Sequence, residues 1–505
     1  MPLRLEELVA VAEGRLAIAL DDDPAHRARL EAGARAVTDA LESRRPLYGA
    51  STGVGASVVQ EIPAALQAEL PLNVLRLHGC GVGPILDETA AASVVAARAA
   101  SLACGWSGVR PLVIERLCEL VNLRVLPRIP ALGSVGASGD LTPLSYVAAL
   151  LVGEREASVG GREMPASEAL AGVGLAPLAL RPKESLSLMN GTSFMTGLGA
   201  LAHGRAARFA RLAAALTAAT SDVVRGNPEH FDARIFAAKP HRGTVRCAAW
   251  IRADLVREGP EPEPLRLQDR YSIRCAPHVV GVLLDALDFA RGLLEIELNG
   301  ANDNPLVDPD SGEPLHGGNF YGGHVAFALD SLKTAVASVA DLLDRQLVLL
   351  CDPATNGGLP ENLVGASGPE RVAHHGMKAM QITASALAAE AQKLTLPASA
   401  FSRSTESHNQ DKVSMGAIAA REALRTLELA ETIAAIGVLA VCQAVDLRGT
   451  EAVARGARAL HAAVRKAVPM LRADRRQDED VQRVLALLAA GELALPEDAE
   501  VAPTT

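Results

Sequence analysis

The strongest constraint on this chain is the length over which a helical period persists. In ALDSLKTAVASVADLLDRQLVLL (328–350), Leu329, Leu332, Val336, Val339, Leu343 and Leu347 recur at steps of three and four. That spacing lines one face of a long helix. Segments 281–298, 377–394 and 415–445 carry the same period. Several of these runs exceed an ordinary globular helix and predict a mainly α-helical bundle of long helices. The composition agrees: 49% of residues are hydrophobic and only 3% aromatic, which favours helix over strand. The outer faces of these segments stay rich in Ala and Val, which predicts burial between subunits. At 505 residues the chain is too long for one core. The first 200 residues are punctuated by Gly and Pro, as in YGASTGVGAS, HGCGVGP and LPRIPALGSVGASGD. The expected organisation is a loop-rich region over 1–200, a central long-helix bundle over 201–470, and a short helix and tail over 471–505.

Charge and cysteine usage exclude several classes of function. Lys and Arg number 49 against 59 Asp and Glu, a net charge of −10. An acidic surface argues against nucleic acid as the partner. The seven cysteines, at 80, 104, 118, 247, 275, 351 and 442, are scattered with no CxxC pair. That is poor evidence for a disulfide framework or a zinc site and suits a reduced, cytoplasmic setting. No metal is expected. The N-terminus MPLRLEELVAVAEGRL mixes acids with its apolar residues and lacks the apolar core of a signal peptide. The run Ile433–Cys442 is too short to span a bilayer and predicts the middle of a buried helix.

Chemistry concentrates in RIPALGSVGASGDLTPL (128–144), where small residues crowd around Ser138. Gly139 has an unhindered nitrogen and a backbone free to bend sharply. Ala137 is small enough to let that nitrogen approach, and Ser138 carries a hydroxyl that can leave. The bare tripeptide is weak evidence in a chain this rich in Ala and Gly. Its company is not. LYGASTGVG (47–55), LMNGTSFMTG (188–197), QDRYSIRCAPHVVG (268–281), NDNPLVD (302–308), HGGNFYG (316–322) and STESHNQDKVSMG (404–416) follow in order.

Together these segments resemble the motifs of the aromatic amino acid ammonia-lyases and histidine ammonia-lyase, over roughly residues 40–450. The resemblance implies the long-helix fold of those enzymes, related to the fumarase–aspartase type. It also implies a prosthetic group made by the chain itself. The Gly139 nitrogen attacks the Ala137 carbonyl, two waters leave, and Ala137-Ser138-Gly139 becomes 4-methylidene-imidazol-5-one (MIO), with no external cofactor. By the same resemblance Tyr48 is the base that removes the β-proton. A phenol titrates near ~10, so this role predicts a lowered pKa or a proton relay. Asn190 and the Gly191 amide hold the prosthetic carbonyl oxygen in the manner of an oxyanion hole. Tyr271 lies beside the methylidene group, and Arg274 binds the substrate carboxylate. Gln268, Asn319 and Phe320 line the pocket. The resemblance further implies a homotetramer whose active sites combine residues of more than one subunit. The bland alternatives are a turn tyrosine at 48, a helix cap at Asn190 and a structural ion pair at Arg274.

Two positions bear on substrate. The pair Leu77-His78 aligns where phenylalanine lyases resemble Phe-Leu, some tyrosine lyases His-Leu, and histidine lyases and a few bacterial tyrosine lyases Ser-His. Leu77 departs from all of these, while His78 could hydrogen-bond a phenol, a partner whose absence such a site rejects strongly. Gln410 stands where histidine lyases resemble glutamate. A neutral amide is the poorer partner for imidazole. The expected order is tyrosine, then phenylalanine, then histidine. Aminomutases of this family share the electrophile and re-add the amine at the β-carbon, so a tighter lid favours mutase and a looser one lyase. Ser51 and Val54 depart from the family's usual lid sequence. Fumarase–aspartase enzymes need a Gly-Ser-Ser-x-Met-Pro loop, which is absent. A helical scaffold without activity would have no need of Ser138, Tyr48 and Arg274 together.

Overall fold

The computed structural model describes residues 2–260 and 262–497; the tail segment from 498 onward lies outside the described residues. Helix accounts for 59% of the protein and strand for 6%, so the helical period governs the architecture. The four periodic segments are the helices Ala276–Leu298, Gly323–Cys351, Lys378–Lys393 and Gly416–Arg448. A further 31-residue helix, Ser193–Val223, stands beside them in length. Gly416–Arg448 is long and apolar enough to cross a membrane by composition alone, but 89% of its most apolar window is buried inside the protein. Burial of Ile433, Ile436, Val438, Val441 and Cys442 along it marks a core helix.

The chain forms two compact units, each discontinuous in sequence. Among the described residues one comprises 2–204, 289–330 and 397–424; the other comprises 205–288, 331–396 and 425–497. Among the described residues the first unit holds all the strands, in three small antiparallel sheets. Val82–Ile85 pairs with Pro130–Leu132, the strand that leads into the Gly-rich turn at 133–139. Glu156–Val159 is central between Val125–Pro127 and Arg162–Pro165. Its hairpin turns at Gly160-Gly161, with φ of 58° and 78°, the left-handed pair that a two-residue hairpin requires. Leu306–Val307 pairs with Pro314–Leu315.

Close helix packing sets the site's frame. Gly197, near the start of Ser193–Val223, faces the backbone of Ser93 on Glu88–Leu102, where an added Cβ would come within 2.9 Å of the Ser93 carbonyl carbon. Glu88–Leu102 is buried around its whole circumference from Ala90 onward, and its Ala-rich composition lets the neighbouring helix approach. Gly197→Val should therefore force these two helices apart and cost about 1–3 kcal/mol, read as a lower midpoint in urea denaturation.

Candidate functional site

Ala137-Ser138-Gly139 forms a tight turn just before the helix Leu141–Leu151. Gly136, Ser138 and Gly139 have φ of 80°, 51° and 76°. Glycine adopts this left-handed backbone freely, and serine only under constraint. The constraint is a backbone contact. Gly139 bridges Gly191 in parallel, the Asp140 N–H donates to Gly191 O at 2.7 Å, and a Cβ on Gly139 would overlap the Gly191 backbone. The Met415 N–H donates to Val135 O at 3.0 Å and pins the turn from its other end.

Two side chains converge on Ser138. Asn190 Nδ2 donates to Ser138 O at 2.7 Å, and Gln410 Nε2 donates to Ser138 Oγ at 3.0 Å. The Asn304 N–H donates to Asn190 Oδ1 at 2.6 Å, which fixes the end of the amide that faces the turn. Gln410, expected to read the substrate, thus meets the hydroxyl of the turn itself. Asp140, the next residue, is fully buried. Its Oδ2 accepts from the Met195 N–H at 2.9 Å and its Oδ1 from Ser134 Oγ at 3.0 Å, so it ties the turn to the start of Ser193–Val223. Burial pushes its carboxyl up to about 7 against these hydrogen bonds.

Beside the turn opens a cleft of about 860 Å³ whose walls include Tyr48, Leu77, His78, Ser138, Asn190, Phe320 and Gln410. Leu77 and His78 end the helix Leu70–Leu77. His78 is half-buried, its ring makes no hydrogen bond among the described residues, and burial lowers its pKa, which favours the neutral imidazole. Tyr48 Oη accepts a hydrogen bond from the Gly55 N–H at 2.7 Å. Burial raises its pKa above the ordinary phenol value, the Gly55 N–H opposes the shift, and the charge of Glu406 adds to it. The lowering predicted for a base at this position is therefore not produced within the chain: desolvation of the phenolate outweighs the single N–H that stabilises it.

The remaining candidates lie elsewhere. Asn319 is exposed, donates to Ala301 O at 3.0 Å and does not line the cleft. Gln268, Tyr271 and Arg274 belong to the second unit and do not line the cleft either. Tyr271 and Arg274 pack against each other. The Arg274 guanidinium carbon lies 4.6 Å from the Tyr271 ring centre, and its Nε donates to Asp269 O at 3.0 Å. The Asp269 N–H in turn donates to His230 Nε2 at 2.9 Å. Tyr271 is 71% exposed, so this cluster faces outward. Among the described residues no group of three or more His, Cys, Asp or Glu is placed to hold a metal ion.

Glu406 is a cleft residue that sequence reasoning passed over. Its carboxylate accepts from the Ala56 N–H at 3.0 and 3.1 Å, clasping the loop that carries Tyr48's partner Gly55. Glu406, Ser407 and His408 have φ of 49°, 54° and 60°. Three successive left-handed side-chain residues cost about 1–2 kcal/mol each, so packing must hold this hairpin in place. The only signal in the sequence was the position of Glu406 within the motif 404–416.

The residues around the turn fit a self-made imidazolone. Gly136, Ser138 and Gly139 all take the left-handed backbone, the three residues at 137–139 carry only small side chains, and Asn190 already holds the Ser138 carbonyl. The chain also contains an internal control. A second Ala-Ser-Gly occurs at 366–368. There Ser367 is extended, with φ −121°, and nothing lies within 4 Å of a Cβ placed on Gly368. No wall compresses it.

The family model for aromatic amino acid lyase matches residues 3–466. A histidine ammonia-lyase of Koribacter versatilis is 38% identical over 97% of each chain. A MIO-dependent tyrosine 2,3-aminomutase of Streptomyces globisporus is 40% identical over 97% of this chain and 94% of that one. The crystal structure of tyrosine aminomutase from Streptomyces globisporus superposes with a TM-score of 0.91, covering 97% and 96% of the two chains.

The clasp on the Tyr48 loop can be tested directly. Glu406→Ala should speed hydrogen exchange of the Gly55 and Ala56 amides by about tenfold, the effect of a lost charged hydrogen bond, while the Leu141–Leu151 amides keep their wild-type rates.

Proposed function

The chain belongs to the aromatic amino acid lyase family, and on that premise we propose that it removes ammonia from an aromatic L-amino acid, L-tyrosine first and L-phenylalanine next. The observation that carries this reading is the convergence of Asn190 and Gln410 on Ser138 beside a cleft walled by Tyr48 and His78. The turn they surround would form the imidazolone from Ala137, Ser138 and Gly139. The Gly139 nitrogen bonds to the Ala137 carbonyl carbon, Ser138 loses its hydroxyl, and two waters depart. When present, this group supplies an electrophilic carbon that takes up the substrate amine and makes ammonia a leaving group.

The chain's own side chains do the rest. Asn190 Nδ2 holds the Ser138 carbonyl oxygen, where charge collects. Tyr48 takes the β-proton. His78, whose ring has no hydrogen-bond partner among the described residues and whose neutral form burial favours, offers one ring nitrogen to a phenol hydroxyl. Gln410 offers an uncharged amide in place of a carboxylate, which supports a neutral aryl group over imidazole. Arg274 binds the carboxylate from a neighbouring copy, since its cluster is exposed and does not line this cleft.

A homotetramer is part of this proposal. Val282, Phe289 and Ile296, 59%, 45% and 73% exposed, recur every seven residues along Ala276–Leu298. Such an apolar stripe on a long helix fits another helix of the same kind. The seven free thiols suit a cytoplasmic protein.

A second reading is a tyrosine 2,3-aminomutase. It is favoured by the Glu406 clasp, which holds the Tyr48 loop down and would retain the arylacrylate and ammonia long enough for re-addition. The deciding experiment is incubation with L-tyrosine, L-phenylalanine or L-histidine, followed by ultraviolet absorbance of the acrylate and chromatography of β-amino acids. Acrylate from tyrosine is the expected result. β-Tyrosine in excess of coumarate selects the mutase, and acrylate from histidine alone overturns the role given to Gln410.

Four further outcomes are expected. In peptide mass mapping, the peptide with residues 137–139 is two waters light and that with 366–368 has its full mass. Ser138→Ala restores the full mass and lowers kcat by at least about 10³-fold, the order lost with the central group of a covalent mechanism. Because burial holds Tyr48 above its usual value near ~10, its phenolate fraction grows about tenfold per pH unit from neutrality, so kcat/KM rises with pH and Tyr48→Phe flattens the rise. Ile296→Glu should reduce the assembled species in light scattering, with activity falling in parallel.

A further inference from the structure

Behind the Asn190–Gly191 corner lies a guanidinium outside the cleft's lining. Arg98, on the helix Glu88–Leu102, is completely buried. Its Nη2 donates to Ser187 O, while Nε and Nη1 have no hydrogen-bond partner among the described residues. A buried cation so sparsely satisfied is costly and calls for an explanation. The contact it makes supplies one. A Cβ on Gly191 would overlap Arg98 Nη1, and a Cβ on Gly139 would overlap the Gly191 backbone. Guanidinium, Gly191 peptide and the Ser138–Gly139 turn are thus stacked in three layers without side chains between them.

Other charged groups are buried near this stack. Arg98 and Lys183 are both buried cations, and Asp303 is the carboxylate that faces them. Lys183 Nζ lies 3.0 Å from Asp303 Oδ2. Asp303 Oδ1 accepts from Ser107 Oγ at 2.9 Å. Glu184 is taken by Arg110, at 2.7 Å from Nε to Oε1 and 2.7 Å from Nη2 to Oε2. Burial raises the pKa of buried Asp140 and of half-buried Glu297 and lowers that of Lys183. Burial brings Arg98 down to about 10, which still leaves it charged at neutral pH. Among the described residues Arg98 has no carboxylate within hydrogen-bonding distance, so its charge stands unpaired behind the Ser138 carbonyl.

We propose that Arg98 is a positioning residue for the electrophile: its charge, acting across the Gly191 peptide, stabilises negative charge arriving on Ser138 O. This rests on the imidazolone reading above. It extends the donor set beyond Asn190 to a group that touches neither substrate nor reacting atoms. In low-dielectric surroundings such a fixed charge acts at longer range than it would in water.

The test uses cyanide, a small nucleophile that needs neither Tyr48 nor Arg274. Its carbon bonds to the methylidene carbon, and the π pair moves to the Ser138 carbonyl oxygen. Wild type, Arg98→Gln, Arg98→Lys and Asp303→Asn are compared by intact mass and by the rate at which cyanide bleaches the near-ultraviolet enone band. All four should be two waters light. Arg98→Gln should react about tenfold slower, a loss below that of a direct oxyanion donor, and Arg98→Lys should recover most of the rate. Asp303→Asn removes the counter-charge and should react faster than wild type while melting at a lower temperature, two effects that a structural role would not separate. The same order should appear in kcat, with KM little changed. The inference is overturned if folded Arg98→Gln reacts like wild type, if it folds but keeps both waters, or if Asp303→Asn reacts more slowly. Should Arg98→Gln not fold, Asp303→Asn and Arg98→Lys decide by the same criteria. A wild-type chain of full mass removes the imidazolone reading and this inference with it; one two waters light whose variants miss the predicted order removes this inference alone.

Discussion

The approach of Gly139 to Gly191 is the contact on which the site depends. Two backbones meet where neither can carry a Cβ, and that meeting holds Ser138 in a left-handed conformation it would not choose. A compressed turn cannot hold itself. The Gly191 side is anchored by the helix that follows it, Ser193–Val223, and the Gly139 side by Asp140, which reaches back to that helix's first turn. Long helices are thus what make the turn possible. A 31-residue helix buried along its length does not yield to the recoil of a few strained residues.

Burial of charge follows from the same architecture. Lys183 takes a left-handed backbone just before Glu184–Met189, which places its ammonium on Ser107 O, Ser187 Oγ and Asp303. Removing Asp303 altogether would leave that ammonium unpaired, a loss of about 3–5 kcal/mol in comparable sites. The pair stands next to Asn304, whose N–H orients the Asn190 amide. Each polar group is held by one further from the cleft, so the amide that meets Ser138 is aimed before any substrate arrives.

Much of this was legible in the chain. The helical period foretold four long helices because a buried stripe must recur at 3.6 residues whatever the tertiary detail. Ser193–Val223 escaped because its apolar residues lie on nearly every side, leaving no stripe to see. Tyr48, His78, Asn190, Phe320 and Gln410 were found by their motifs and do line one cleft with Ser138. What the motifs could not show was mutual placement: that Gln410 would meet the Ser138 hydroxyl, that Asn319 would turn to Ala301, or that burial would outweigh the Gly55 N–H at Tyr48. Arg98 and Glu406 were invisible for a different reason. An arginine in an Ala-rich helix and an acid in a polar loop look like surface residues until the fold shows what surrounds them.

The uncompressed Ala366-Ser367-Gly368 has a consequence for how this chemistry can be inherited. Three small residues of common kinds will arise and vanish in surface loops by drift, and they confer nothing there. The trait resides in the wall. Gly191 contributes no atom to the ring, yet a methyl group at that position would strike the Arg98 guanidinium; it should be as intolerant of replacement over evolutionary time as Ser138 itself. A lineage could not acquire this reagent by copying three codons. It would have to inherit the two helices and the glycine between them first.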